Sequence, residues 1–456
     1  MFRTLLRLTA VCVLVVVGWG SSAAAWDTTA GNDTNFGSVT FGGTVSDRAY
    51  GGVAVDGSGN VYTTGAFSGT VNFGAGNVTA AGNIDVFVTK LNSSGVHQWT
   101  TTFGGTSIAF GFGVAVDGSG NVHVTGYFEG TVDFGAGNVA SAGNTDAFVT
   151  KLNSSGVHQW TTTFGGTDGD RGYGVAVDGS GNVHVSGYFS GTVNFGAGNV
   201  TAAGAPDVFV TKLNSSGAHQ WTTTFGGSDG AATYSRQVAV DGSGNVHVTG
   251  YFGGTVDFGA GDVASAGDYD VFVTKLNSSG AHQWTTTFGG TGDDFGESVA
   301  VDGSGNVHVG GYFEGTVNFG AGNVTSAGNE DVFITKLNSS GVHQWTTTLG
   351  GTGTERAREV AVDGPGNVHV TGLFRGTVDF GAGDVTSAGN SDVFVTKLNS
   401  SGAHQWTTTF GGTSFEFGWG VAVDGSGNVY STGYFEGTVD FGAGNVTSAG
   451  SYDVFV

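Results

Sequence analysis

Three observations predict an all-β fold. A unit of about 61 residues recurs seven times, each unit holds four runs rich in β-branched and aromatic residues, and turn-forming residues separate the runs. Four antiparallel strands repeated in this way form the pattern of a seven-bladed β-propeller. The period is read from Val-Ala-Val-Asp-Gly, whose aspartate falls at Asp56, Asp117, Asp178, Asp241, Asp302, Asp363 and Asp424.

The second unit justifies each element in order. Val114–Val116 reads as a short first strand, Asp117–Asn121 as a turn and Val122–Phe128 as the second strand. A long Gly/Ala/Asn-rich connection follows, with one short extended piece at Thr131–Phe134. Asp146–Leu152 is the third strand, Asn153–Gly156 a second turn and His158–Phe164 the fourth strand. No stretch has useful helical periodicity. The last unit ends within its third strand at Asp453–Val456, and Ser38–Gly43 reads as a detached fourth strand before the first unit. Pairing the two closes the ring and leaves no open sheet edge. The alternative is one section of a longer array.

Composition narrows the function classes. The chain has 88 glycines but only two prolines, and no strict three-residue period, which excludes collagen. With 38% hydrophobic and 12% aromatic residues it is not a disordered linker. A formal charge of −23 makes nucleic acid and anionic membranes poor partners. Arg3 and Arg7, the apolar run Leu8–Val17 and the small residues Ser21–Ala25 read as a secretory signal over 1–25. A linker at 26–35 and a propeller over 36–456 follow. The expected destination is the cell surface, the periplasm or the medium, with no membrane span after cleavage. Cleavage removes Cys12, so no disulfide is available and packing must hold the fold.

The sequence resembles the bacterial β-propeller repeat family known as SBBP. The resemblance is carried by Val-Asp-Gly-Ser-Gly-Asn-Val-His-Val-Thr-Gly, by Asp-Ala-Phe-Val-Thr-Lys-Leu-Asn-Ser-Ser-Gly and by Trp-Thr-Thr-Thr-Phe-Gly-Gly. It implies that Val-Ala-Val lies innermost and the Trp-bearing strand outermost. The Asp-Gly-Ser-Gly-Asn and Asn-Ser-Ser-Gly turns then share one face, and the interblade loops share the other. The family is defined by its repeat, so the resemblance implies no activity.

Comparison between units separates scaffold from variation. The turn face is almost the same in every unit, whereas the interblade segments differ strongly. Arg48, Arg171, Arg236, Arg356 and Arg358 lie in those segments, with Arg375 close by, while all six lysines occupy one repeated strand position. Binding residues concentrate on loops carried by a rigid scaffold. The contact candidates are therefore Asp168, Arg171, Arg236, Asp293, Asp294, Glu355, Arg356, Arg358, Phe415 and Trp419, with drift in unconstrained loops as the alternative. Their ligand would be a protein or a carbohydrate.

The aspartates that open each third strand are Asp85, Asp146, Asp207, Asp270, Asp331, Asp392 and Asp453. They read as acceptors for backbone N–H groups where the connection re-enters the sheet. Their sharper role is as calcium ligands, aided by Asp262 and Asp384. The histidines read as interblade packing, because one ligand per blade does not build a tetrahedral zinc site. Gly226–Gly230 matches G-x-S-x-G but lies between strands, without the helix that a nucleophile elbow needs. The repeated tryptophans read as sheet packing, and Trp221→Ala would cost about 3–5 kcal/mol at a buried site. The expected protein is a monomeric, secreted, non-enzymatic binding or structural module. A polysaccharide hydrolase or lyase and a calcium-stabilised adhesin are the alternatives.

Overall fold

Each Val-Ala-Val-Asp-Gly segment forms the inner edge of a four-stranded antiparallel sheet. The computed structural model describes residues 37–456, apart from 205, 228, 229 and 443. In blade two the strands are Ala109–Val116, Val122–Phe128, Asp146–Leu152 and His158–Phe164, in that order from axis to rim. The second and third strands pair along their whole length, from Val122↔Leu152 to Phe128↔Asp146. The second strand is buried throughout, because its two faces contact the two neighbouring blades. Apolar residues at successive positions are therefore needed, not strict alternation.

The connection after the second strand is more ordered than its composition suggested. Thr131–Asp133 and Asn138–Ala140 form a two-stranded ribbon. The ribbon reaches back to the rim strand of the preceding blade, pairing Val132 with Gly105 and Asp133 with Gly104. Its phenylalanine, Phe134, is buried against Phe103 of blade one and against Phe128 and Phe148 of its own blade, at ring centroid distances of 5.7, 5.3 and 4.9 Å. Seven apolar clusters result, one at each junction between blades.

A second device ties each blade forward. The indole N–H of Trp160 donates to the Ser215 carbonyl of blade three at 3.2 Å, and Thr162 Oγ1 donates to the Gly217 carbonyl at 3.2 Å. Gly217 has φ +83°, and a Cβ there would stand 2.8 Å from the indole. Only glycine serves both demands. Trp406 of blade six has no such turn beside it among the described residues and is 37% exposed.

Blade seven is built from both ends of the chain. Glu416–Val423, Val429–Phe435 and Asp453–Phe455 are joined by Thr40–Gly43 as the rim strand. Thr40 pairs with Phe455 and Phe41 with Val454, and Val39 and Val456 exchange two backbone hydrogen bonds of 2.9 Å. The ring is closed. No helix among the described residues is long and apolar enough to cross a membrane. The leader and linker read over 1–25 and 26–35 lie outside the described residues, as does Ser228 of the G-x-S-x-G match.

Candidate functional site

The segments expected as interblade loops are largely strand. In blades two to seven the inner strand begins four or five residues before Val-Ala-Val, and the register slips by one residue where it approaches the axis. Such a bulge re-aims a side chain. The residues left out of register are Phe112, Tyr173, Arg236, Glu297, Arg358 and Trp419.

With Tyr50 of blade one, these six close a circle around the axis. Phe112 and Tyr173 have ring centroids 4.8 Å apart, and the Arg236 guanidinium lies 5.2 Å from the Tyr173 ring. Glu297 sits between two arginines, 3.5 Å from Arg236 Nε and 2.9 Å from Arg358 Nη1. Arg358 lies 4.8 Å from the Trp419 ring. Trp419 meets Tyr50 at 5.8 Å, and Tyr50 meets Phe112 at 6.0 Å. Each blade contributes one side chain to this chain of contacts, which runs from blade one through blade seven and back.

Beside this circle the channel is narrowed by Glu359. Its carboxyl accepts the Gln237 amide of blade four at 3.1 Å and the Val421 N–H of blade seven at 2.8 Å. Contact with blades on both sides of its own places the group on the axis. Enclosure by protein pushes its pKa up to about 8, against the lowering effect of those hydrogen bonds. It is therefore mostly neutral at pH 7.

A second layer of cations and aromatic rings surrounds the circle. Arg48 lies 4.3 Å from the Tyr452 ring and 5.2 Å from that of Tyr434, and it donates to the Tyr50 hydroxyl at 2.6 Å. Arg171 lies 4.4 Å from the Tyr127 ring. Arg356 covers Tyr312 at 4.7 Å and forms a forked ion pair with Glu330. Arg375 lies 6.0 Å from Phe415, which stacks on Phe417. Most of these rings keep part of their surface open.

The sequence candidates thus divide. Arg171, Arg236, Arg356, Arg358, Phe415 and Trp419 gather at the mouth, and Asp168 is exposed on a nearby loop. Asp293 is half-buried, near Asp268 and Glu330, whose charges help hold its pKa up after the main effect of burial. Asp294 and Glu355 are fully buried and lie inside the protein, not on the expected surface. They head their inner strands and accept the Gly290 and Gly351 N–H groups at 2.8 and 2.9 Å.

These two belong to a set the sequence reading did not assemble. Asp47, Asp170, Asp294, Glu355 and Glu416 are all buried, each influenced by the charge of a third-strand aspartate in the preceding blade: Asp453, Asp146, Asp270, Asp331 and Asp392. Burial first, and the paired acid second in direction, push the five to about 6, 6, 7, 7 and 7.

The seven third-strand aspartates take the backbone role expected for them. Asp85 accepts Ala81 N–H at 2.6 Å and Asp146 accepts Ala142 N–H at 3.0 Å, and the other five repeat the contact. Asp262 and Asp384 lie instead on exposed ribbons. No group of three or more His, Cys, Asp or Glu side chains arranged for a metal occurs among the described residues.

On the opposite face the turns repeat one design, except that Pro365 replaces the donating serine in blade six. Asp117 accepts Ser119 N–H, Asn121 N–H and the Asn121 amide at 2.9, 2.9 and 2.7 Å. His123 is fully buried beside it, its Nε2 3.6 Å from Asp117 Oδ2, and burial pushes its pKa down to about 4. Tyr62 and Tyr430 fill this place in blades one and seven and donate to Asp56 and Asp424.

Tyr50, Phe112, Tyr173 and Glu297 were absent from the sequence candidates. A signal existed. The residue five places before the repeated aspartate reads Gly51, Phe112, Tyr173, Arg236, Glu297, Arg358 and Trp419, among the least repetitive columns of the unit.

A closed ring of near-identical blades with its differences collected at one mouth defines a β-propeller repeat protein. Residues 98–127, 159–189 and 283–312 match the SBBP β-propeller repeat. The match covers one stretch in each of three regions of the chain. It is 27% identical over 409 residues to the regulatory protein FlaEY of Caulobacter vibrioides, covering 82% of this chain and 42% of that one. It is 23% identical over 460 residues to an uncharacterized WD repeat-containing protein, L264, of Acanthamoeba polyphaga mimivirus, covering 78% and 33%. The chain spans less than half the length of these curated relatives. Among solved structures, a chain of the mitotic checkpoint complex is 9% identical with a TM-score of 0.47, covering 98% of both chains. The Pan2 WD40 domain of Neurospora crassa is 10% identical with a TM-score of 0.45, covering 90% of this chain and 89% of that one.

Proposed function

We propose that this protein is a non-enzymatic binding module, working at the cell surface or outside the cell, that receives its ligand at the axial mouth. One observation carries the reading. The differences between blades gather around a single circle of side chains, while the turn face is almost the same in every blade. Seven equivalent blades offer seven equivalent surfaces, and only the mouth is unique. Its composition of Tyr, Trp, Phe and Arg is the one enriched where binding energy concentrates. The carboxyl groups in and beside the circle are engaged: Glu297 by two arginines, Glu330 by Arg356 and Glu359 by Gln237 and Val421. That favours recognition over acid–base chemistry, which needs a carboxyl free to exchange a proton with substrate.

A thermal-shift screen against peptide and glycan panels tests the reading. Ligands that raise the melting temperature should lose their effect in Tyr173→Ala and Trp419→Ala, and keep it in Ser119→Ala on the turn face. Ligand effects that survive both mouth variants would remove the assignment.

A further inference from the structure

We propose that the mouth takes an acidic glycan, a chain of sugar rings bearing carboxylates, across the sector formed by blades one to three. The inference rests on the mouth being the binding face. Arginines are distributed around that mouth, but they are not equivalent. In blades four to six, Arg236 and Arg358 are met by Glu297 and Arg356 by Glu330, and the remaining arginine, Arg375, lies exposed beside Phe415, with no second unpaired arginine across from it. Arg48 and Arg171 form no ion pair among the described residues.

Between these two arginines lies an unbroken aromatic floor. Tyr50 contacts Phe110 at 5.8 Å and Phe112 at 6.0 Å, and Tyr127 contacts Phe110 at 5.1 Å and Phe112 at 5.6 Å. Tyr50, Phe110 and Phe112 are only half-buried, so the floor faces solvent. Arg48 and Arg171 are held at its ends by the Tyr50 hydroxyl and the Tyr127 ring. Contact with π faces positions a guanidinium without neutralising it. Exposed Glu129 and Asp168 set the outer limit of this positive sector.

The occupant follows from the pattern of charge, aromatic floor and charge. A guanidinium pairs with a planar carboxylate through two parallel hydrogen bonds. The floor between offers mostly ring faces, with hydroxyls only on Tyr50 and Tyr127, which suits the C–H faces of sugar rings. A peptide would bring a backbone amide at every residue to a floor with only two hydroxyls to satisfy them. In a chain of net charge −23, such a site is a local positive island, and it selects ligands at contact range instead of steering them from afar.

Calorimetric titration of the folded protein tests this with three probes: tetragalacturonate, its fully methyl-esterified form and tetraglutamate. Tetragalacturonate should bind, and esterification should weaken binding by about tenfold or more, since each lost charge-assisted pair is of that order. Arg48→Gln and Arg171→Gln should each weaken it by about tenfold, and Lys151→Gln on the turn face should leave it unchanged. The ester comparison uses the unaltered protein and stays decisive if an arginine variant folds poorly. Equal binding of acid and ester, or no binding of the acid, overturns the proposal. Tetraglutamate binding that is lost in both arginine variants, without uronate binding, removes the glycan and keeps the mouth. Uronate binding lost only in Lys151→Gln removes the mouth itself.

Discussion

Replacing Glu355 by glutamine should make the propeller more stable at pH 8 and leave it unchanged at pH 4. Glu355 is buried at the junction of blades five and six, where its Oε2 accepts the Gly351 N–H at 2.9 Å. Its Oε1 and the Oδ1 of Asp331 are both buried without a hydrogen-bond partner. Burial, then the nearby acids Asp331 and Glu330, push its pKa from 4.5 to about 7. The folded protein therefore holds a proton here that the unfolded chain has released by pH 6. Stability is complete below about pH 4 and falls as pH rises to about 7, by about 3 kcal/mol for this group at 1.36 kcal/mol per pH unit. Glutamine imitates the protonated acid and removes that loss. At pH 8 the variant should melt about 3 °C higher, given about 2.1 cal/mol/K per residue over one cooperative ring. Differential scanning calorimetry from pH 4 to 8 is the assay. A variant that follows the parent's pH profile in parallel, with no gain at pH 8, would refute a protonated Glu355.

Acid should destabilise the opposite face. Asp178 is held down to about 2, burial being outweighed by its hydrogen bonds to Asn182 and Ser180 and by Lys212, so its stabilisation is present above about pH 4 and lost as pH falls toward 2. The parent should thus melt highest near pH 4–5, and a maximum at pH 8 would contradict both sets of acids. Trp221 is half-buried and docks on Ser278 and Gly280, so Trp221→Ala should cost about 2–3 kcal/mol in urea unfolding, below a fully buried tryptophan. Trp406→Ala, at an undocked site, should cost under about 1 kcal/mol, and equal losses would sink the forward tie as an explanation. A Cβ at Gly165 would stand 2.0 Å from the Asp146 carboxyl carbon, so Gly165→Ala should cost about 2–3 kcal/mol. Adding Asp146→Ala should add less than its separate cost, and strict additivity would show that the two do not collide.

The scaffold was legible because it is written seven times. Four strands, two turn types and closure by Ser38–Gly43 against Asp453–Val456 could all be read from the repeat, and the structure has each of them. The mouth was harder. Gly111, Gly113, Gly172 and Gly174 made the inner strands look like loops, although glycine stands there because neighbouring groups come close: Tyr173 O lies 2.7 Å from a Cβ at Gly113. Close approach in space leaves the same letter as a flexible turn. The bulge that aims Phe112 and Tyr173 at the axis has no local signature, since it arises where converging strands lose register. Asp294 and Glu355 misled for another reason. A carboxylate in a variable segment usually marks solvent, and only the packing of two blades reveals that these are buried beside a second acid.

The near-identity of the blades has one more consequence. A rim strand such as His158–Phe164 repeats letter for letter as His219–Phe225 and His282–Phe288, so these rim strands are interchangeable and nothing in them records a blade's position. The number seven is set by how many units the chain contains. Blade seven, whose rim strand comes from the far end of the chain, is then the one place where a neighbouring molecule's Thr40–Gly43 would fit as well as the protein's own. At high concentration during refolding, chains linked by exchanged rim strands should compete with closed monomers.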